Sequence, residues 1–563
     1  MPVRSILTAT LLSLLTTSAP AQEPRTVAER TDYAATSRHA DVLSFCEELS
    51  KKSPLVRLGQ MGTSGEGRKL PLVILADPPV ASAAEAKRSG KLVVYAQANI
   101  HAGEVDGKEA LQMLARDIAV GPAKPLLKDL VVVLCPDFNP DGNEQIDPAH
   151  RTHQNGPPAV GVRTNAAGLD LNRDFVKLES SEVRALVKLM NQWDPAMVID
   201  CHTTDGSFHR YTETYDGPRH PNAGELVSFS LDRMLPEVGK RLEKSGFPAF
   251  YYGNFSRDHT RWDAYEDWPR YGVQYVGLRG RLGMLSESYV YASFKDRVLA
   301  SRDFVRFCFE YVVEHKADVH RLIGRQESGP LALKTKPEPL EKPFTVHGYV
   351  ETTKDGRRAR TDEIKDYEVR YYGREVAELS AARPFAYLFP PTFNKAVEVL
   401  QRHGIPVEEL REDIELDVTA FHVEKLNRAE RAYQGHRTVS PDITPRNETR
   451  RVAAGTILVR TGQHLGTLAA LLLDPRAEDG MTTWNFFDEG IGDGRDAPVV
   501  ALQASVSLTS GAVRPLAEDR TTGKRITVDA LLKGGRRAID LTGNPVSGLI
   551  WLEDGDHFLQ VKD

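Results

Sequence analysis

Four cysteines in 563 residues, Cys46, Cys135, Cys201 and Cys308, are too few to staple a chain of this size, which excludes a disulfide framework. Cys135 and Cys201 lie in apolar strand-like runs, where a cysteine is usually a small buried hydrophobe. An excess of positive charge is also missing. The net charge is -6 with both signs mixed along the chain, leaving no basic surface for nucleic acid. Past the first few residues no apolar run is long enough to span a bilayer, while the 41% hydrophobic content is that of a folded globular protein. The chain is too long for one ordinary core, and about 150 residues per domain suggests roughly three units.

The N-terminus has the pattern of an export signal: Arg4, a short apolar core from Ile6 to Leu15, and the small-x-small sequence Ala19-Pro20-Ala21. Residues 1–21 are expected to be removed, leaving an exported protein, periplasmic or secreted, with no stable membrane insertion. Thr26 to Ser53 has helical periodicity, and Val56 to Asp77 reads as paired strands around Ser64-Gly65-Glu66-Gly67. The apolar run Leu92-Val93-Val94-Tyr95 predicts a strand, followed by a helix over Val105 to Ala119, a strand at Leu130 to Cys135 and a turn at Asn139-Pro140-Asp141-Gly142. Further on come a helix capped by Ser180 or Ser181 with apolar positions from Val183 to Met190, a strand Met197 to Cys201, a helix Gly224 to Ser245 kinked near Pro236, strands at Val273 to Leu278 and Leu282 to Leu285, and a helix Phe294 to Ile323. This alternation argues for an α/β domain over residues 26–325, with a mixed, mostly parallel sheet flanked by helices. Residues 330–342 are Pro- and Lys-rich as a linker is, and 343–510 read as a smaller β-rich or α+β C-terminal domain with one clear helix, Phe393 to His403. Residues 511–563 form an appended tail with no assigned role. It ends like a single propeller blade, and one blade closes no propeller.

His101 and Glu104 follow the strand at Leu92, and His202 follows the strand at Met197, so three candidate metal ligands sit at strand ends. In open α/β sheets the crevice beyond the carboxyl ends of strands is where loops present functional groups. Two histidines and a glutamate are the ligand set of hydrolytic zinc sites, which keep a fourth position open. Glu287, at the end of another strand, is the candidate base for a proton taken from water at neutral pH. Between these elements runs a long polar loop ending in Asp170-Leu171-Asn172-Arg173, of a length that is often functional.

In order, His101-x-x-Glu104, Asn139-Pro140-Asp141-Gly142, Asp170-x-Asn172-Arg173, His202 and Glu287 resemble the motifs of the carboxypeptidase A-like zinc metallocarboxypeptidases, over roughly Asp32 to Ile323. The resemblance implies one zinc ion on His101, Glu104 and His202, Glu287 as general base, and Asp170 orienting the first zinc histidine. It also implies Asn172 and Arg173 as the clamp for a peptide's free C-terminal carboxylate, and an arginine that stabilises the oxyanion, with Arg151 the better match and Arg163 in reserve. Tyr265, Tyr271 and Tyr275 compete for the substrate-site tyrosine, and Tyr271 within Pro-Arg-Tyr-Gly is favoured. The resemblance does not place the residue that sets side-chain preference, so basic, acidic and apolar preferences all stay open. Two alternatives stay open: a deacylase similar to aspartoacylase or succinylglutamate desuccinylase, and a non-catalytic peptide- or glycan-binding relative.

Overall fold

The computed structural model describes residues 23–323, 325, 328–354, 356–514, 549–551 and 558–560. The expected signal at 1–21 and most of the tail at 511–563 lie outside the described residues. In the first half the strands are β1 (Val56–Thr63), β2 (Lys69–Leu75), β3 (Leu92–Ala98), β4 (Leu130–Cys135), β5 (Met197–Thr204), β6 (Glu213–Asp216), β7 (Ala249–Tyr251), β8 (Asn254–Phe255), β9 (Arg261–Asp263) and β10 (Leu282–Tyr289). Eight of them form a mixed sheet in the order β1-β2-β4-β3-β5-β10-β6-β7. The inner strands β4, β3, β5 and β10 run parallel, and every residue of β3, β4 and β5 is buried. Strands covered on both faces need apolar residues at every position, which is why these runs do not alternate. The chain passes from β3 to β4 on one side and then returns to β5 on the other, so the order reverses between β4 and β5, with β3 as the pivot.

Helices His39–Lys52, Asp106–Ala119, Leu235–Lys244 and Phe294–Glu314 cover one face of the sheet through Phe45, Leu111, Leu114, Val238 and Phe304. Helix Ser181–Trp193 covers the other face with Leu186, Val187 and Met190.

The second half holds β11 (Leu331–Glu338), β12 (Phe344–Lys354), β13 (Arg357–Tyr372), β14 (Arg374–Ala381), β15 (Ala386–Phe389), β16 (Glu408–Leu410), β17 (Ile414–Arg428), β18 (Val439–Val452), β19 (Ile457–Arg460), β20 (Arg495–Asp496), β21 (Val500–Leu502) and β22 (Ser510–Ala512). This half was expected to be a separate domain beyond a linker. Instead the described residues up to Val513 form one compact unit. A single apolar cluster runs from Val93 and Tyr95 through Leu186 and Met190 to Leu331, Phe389, Leu400 and Trp484, and β8 and β9 of the first half continue into a sheet with β13 and β12. Most of the supposed linker at 330–342 is strand β11, paired with β14 and buried at Leu331, Ala332 and Leu333. Its Lys and Pro residues fall toward the exposed end, so composition alone mistook a half-exposed strand for a spacer. By themselves, β23 (Leu549–Trp551) and β24 (Phe558–Gln560) pair antiparallel.

Several local expectations also change. The run expected as a strand at Val273 to Leu278 is a helix, Gly272–Leu278, buried on every side. A short fully buried run has no periodicity to tell helix from strand. The helix at Gly224 to Ser245 is interrupted by a π-helical turn at Phe229–Met234, with Pro236 just after it. The helix Phe294 to Ile323 breaks at His315, and Asn139-Pro140-Asp141-Gly142 is the capped first turn of a short helix, Pro140–Glu144. All four cysteines are buried and free.

Candidate functional site

Three adjacent parallel strands, β3, β5 and β10, end at the same edge. The loop after β3 carries His101 and Glu104, β5 carries His202, and Glu287 on β10 stands opposite His202 in the register. The loop is tight: a Cβ at Gly103 would meet Arg151 Cδ at 2.7 Å and the Gly161 carbonyl at 2.9 Å, so the residue just before the candidate ligand Glu104 has to be glycine.

His101, Glu104 and His202 are buried, and each offers one ligand atom within 4.8 Å of the others. His202 Nδ1 lies 3.0 Å from Glu104 Oε2 and 3.2 Å from His101 Nδ1, while His101 Nδ1 lies 3.2 Å from the same carboxylate oxygen. The outer ring nitrogens are occupied: His101 Nε2 is 3.0 Å from Asp170 Oδ1 and His202 Nε2 is 3.1 Å from Asp200 Oδ2. A carboxylate only accepts, so each Nε2 carries a proton, and in the neutral rings both Nδ1 atoms turn lone pairs toward each other and toward an anion. Lone pairs at this distance repel unless a proton or a metal cation lies among them. Zinc bound tetrahedrally by nitrogens at about 2.0–2.1 Å separates its ligand atoms by about 3.3 Å, so the donor set fits that ion.

The field of the site follows from its crowding. Burial alone would raise Glu104, but His101, His202 and Arg151 hold its carboxyl well below the usual range. Burial would likewise raise Asp170, yet His101, Arg163 and Arg173 keep it well below. Desolvation would depress His202, and the carboxylates of Asp200, Glu104 and Glu287 outweigh it and push it well above the ordinary imidazole value. Glu287 has some solvent contact at the cleft but is ringed by protein, and that burial, with Glu104 nearby, pushes it up to about 8 against the opposing pull of His202, Arg151 and Arg163. Among the described residues no side chain donates a hydrogen bond to the Glu287 carboxylate, which leaves its oxygens available to a ligand or water.

Both candidate arginines converge here. Arg151 Nη1 lies 3.2 Å from Glu104 Oε1, with its Nη2 donating to the Thr203 carbonyl and its Nε to Gln154. Arg163 Nη1 lies 3.5 Å from the same Oε1, and its Nε donates to Asp170 Oδ2 at 2.9 Å. Arg151 has a backbone φ of 46°, a region non-glycine residues occupy under strain and often at functional sites. Asn172 Oδ1 accepts from Gly272 N, turning its amide nitrogen to 3.5 Å from His202 Nε2. Arg173 packs its guanidinium 4.5 Å from the centre of the Tyr271 ring. Of the competing tyrosines, Tyr265 instead meets Arg219 and Gln274, and Tyr275 bonds His403.

Residues 42–245 match the sequence model of the zinc carboxypeptidase family. Over that span the chain is similar to a zinc carboxypeptidase domain. The matched span contains His101, Glu104, Asp170, Asn172, Arg173 and His202 and stops before Glu287. Carboxypeptidase 2 of Trichophyton rubrum is 24% identical over 493 residues, covering 81% of this chain and 85% of that relative. Carboxypeptidase E of Caenorhabditis elegans is 32% identical over 146 residues, 24% of this chain and 28% of that protein. Among solved structures, the metallo-carboxypeptidase from Burkholderia cenocepacia is 18% identical, with a TM-score of 0.36, covering 49% of this chain and 69% of that one.

Sequence reasoning overlooked two parts of this site. Asp200, which holds His202, precedes it by two residues on β5, and the period of a strand places both side chains on one face, so the signal was present. Tyr433 and Gln434, at the turn between β17 and β18, reach Arg173 and Asp170 from 260 and 264 residues away, and no local pattern announces them.

Proposed function

We propose that this metallocarboxypeptidase removes residues from the C-termini of peptides, with one zinc ion held by His101, Glu104 and His202 and with Glu287 as general base. The observation that carries the reading is the meeting of three ligand atoms at the ends of neighbouring parallel strands, with Glu287 in register beside His202. Zinc bound by three protein ligands supplies Lewis acidity and lowers the pKa of a coordinated water to about 7. Asp170 and Asp200 keep the outer nitrogens protonated and so aim both Nδ1 atoms inward.

Glu287 takes the proton released by the attacking water onto its carboxylate and passes it to the leaving amine nitrogen. Arg151 and Arg163 supply positive charge where the scissile carbonyl oxygen becomes negative; losing one such donor typically costs about 2.7–4 kcal/mol in the transition state. Asn172 and Arg173 hold the terminal carboxylate, each charge-assisted hydrogen bond contributing about 1.5–3 kcal/mol, and the Tyr271 ring limits the directions Arg173 can take. The pattern at Arg4, Ile6 to Leu15 and Ala19-Pro20-Ala21 supports export to the periplasm or beyond, which sequencing the N-terminus of the mature protein checks.

The test is incubation of purified protein with a peptide library, with and without chelator, and mass spectrometry of the cleaved ends. Stepwise loss of C-terminal residues that stops on chelation is the expected outcome. Internal cleavage, or rates indifferent to chelator, would sink the reading, and faster turnover of N-acyl amino acids than of peptides would transfer it to a deacylase.

A further inference from the structure

The β17–β18 hairpin ends in a two-residue turn. Tyr433 N donates to His436 O at 2.8 Å and His436 N to Tyr433 O at 3.0 Å, with Gln434 at φ 50° and Gly435 at φ 80° between them. Both central residues are left-handed, as a tight hairpin turn requires. Glycine takes that conformation freely, whereas glutamine is strained in it, and the surroundings have to hold it there. They do so at the active site: Gln434 Oε1 accepts from Asp170 N at 3.0 Å, on the residue whose carboxylate holds His101.

The neighbouring Tyr433 hydroxyl accepts from Arg173 Nε at 3.0 Å. The same guanidinium donates from Nη1 to the Asn172 carbonyl at 2.8 Å and lies against the Tyr271 ring. With Nε taken, the donors that remain for a carboxylate are on the two Nη atoms. Tyr433 is 41% exposed, so its position is not explained by burial in the core. The tip is braced from the side by His436, whose Nε2 lies 2.8 Å from Glu179 Oε1, and by the Trp484 ring 6.3 Å from Tyr433.

We propose that Tyr433 is a substrate-positioning residue: by occupying Arg173 Nε it presents the Nη end of the guanidinium to the peptide's terminal carboxylate, making the C-terminal half of the chain a wall of the substrate site. The proposal rests on the carboxypeptidase reading of Arg173. The experiment measures kcat and KM on one peptide as free acid and as C-terminal amide, for the wild type, Arg173→Lys and Tyr433→Phe. In Tyr433→Phe, KM for the free acid should rise about three- to tenfold, less than the full effect of a lost hydrogen bond to a charged group because Tyr433 acts through Arg173, with kcat, bound zinc and melting temperature unchanged and the preference for acid over amide reduced. An unchanged KM and preference in Tyr433→Phe, where Arg173→Lys loses the preference, overturns the positioning role alone. A fall in kcat together with the melting temperature overturns it in favour of a structural role. A wild type with no preference for the free acid removes the reading of Arg173 itself, and the role of Tyr433 with it.

Discussion

The strand ends of β3, β5 and β10 and the tip of the β17–β18 hairpin meet around Asp170, yet they are built in opposite ways. At the strand ends the backbone is buried on both faces and locked in register, so His202 and Glu287 are held as neighbours by ladder hydrogen bonds before any side chain interacts. The hairpin tip is half exposed and strained, and it owes its place to Gln434 on Asp170, Tyr433 on Arg173 and His436 on Glu179. A rigid element suits groups that must share one ion, where displacements of a fraction of an ångström matter. A loop tip suits a surface that meets substrates of varied shape. The comparison teaches that chemistry and recognition in this chain come from halves that folded into one unit.

That contrast can be broken or sharpened by experiment, beginning with the largest effect. Glu287→Gln keeps the shape of the side chain and removes its ability to take a proton; turnover should drop by about a hundred- to ten-thousandfold with zinc content intact, and a variant at wild-type rate would remove Glu287 from the mechanism. Asp200→Asn weakens the acceptor that fixes His202 and should reduce zinc affinity by about ten- to a hundredfold in a competitive chelator titration; unchanged affinity would mean that the strand alone orients the ring.

The seam between the halves has its own pH signature. His403, from helix Asn394–His403, accepts from the Tyr275 hydroxyl at Nδ1 and donates from Nε2 to the Val176 carbonyl. Burial, together with Arg279 and Arg402, pushes it down to about 3 from an ordinary value of 6.5. The unfolded chain therefore binds the extra proton between these limits, so the stability His403 contributes is complete above about pH 6.5 and is lost as pH falls toward 3. His403→Gln should flatten the fall of the melting temperature across that window, and an equally steep fall would show that other groups carry it. The smallest effect belongs to the tip. Gln434→Gly relieves the left-handed strain but deletes the acceptor for Asp170 N, two changes of about 1 kcal/mol each and of opposite sign. Denaturant titration should find a net change under about 1 kcal/mol; a loss of several would make the tip a structural keystone instead of a recognition surface.

The sequence by itself determined the strand-end constellation. Buried parallel strands are written as unbroken apolar runs, and their carboxyl ends are where loops can present side chains, so local pattern was enough to put His101, Glu104, His202 and Glu287 at strand ends, while the roles proposed for them rest on a family resemblance. Even Asp200 was legible through strand periodicity. Tertiary structure alone decided that Val273 to Leu278 is a helix, that residues 330–342 hold a strand where a spacer was expected, and that Tyr433 and Gln434 reach the site. The physical reasons differ, and for β11 it is that a half-exposed strand shares the composition of a spacer. Full burial erases the periodicity that separates helix from strand, and contacts between residues some 260 positions apart are set by a shared apolar core, which leaves no mark on the residues at its rim.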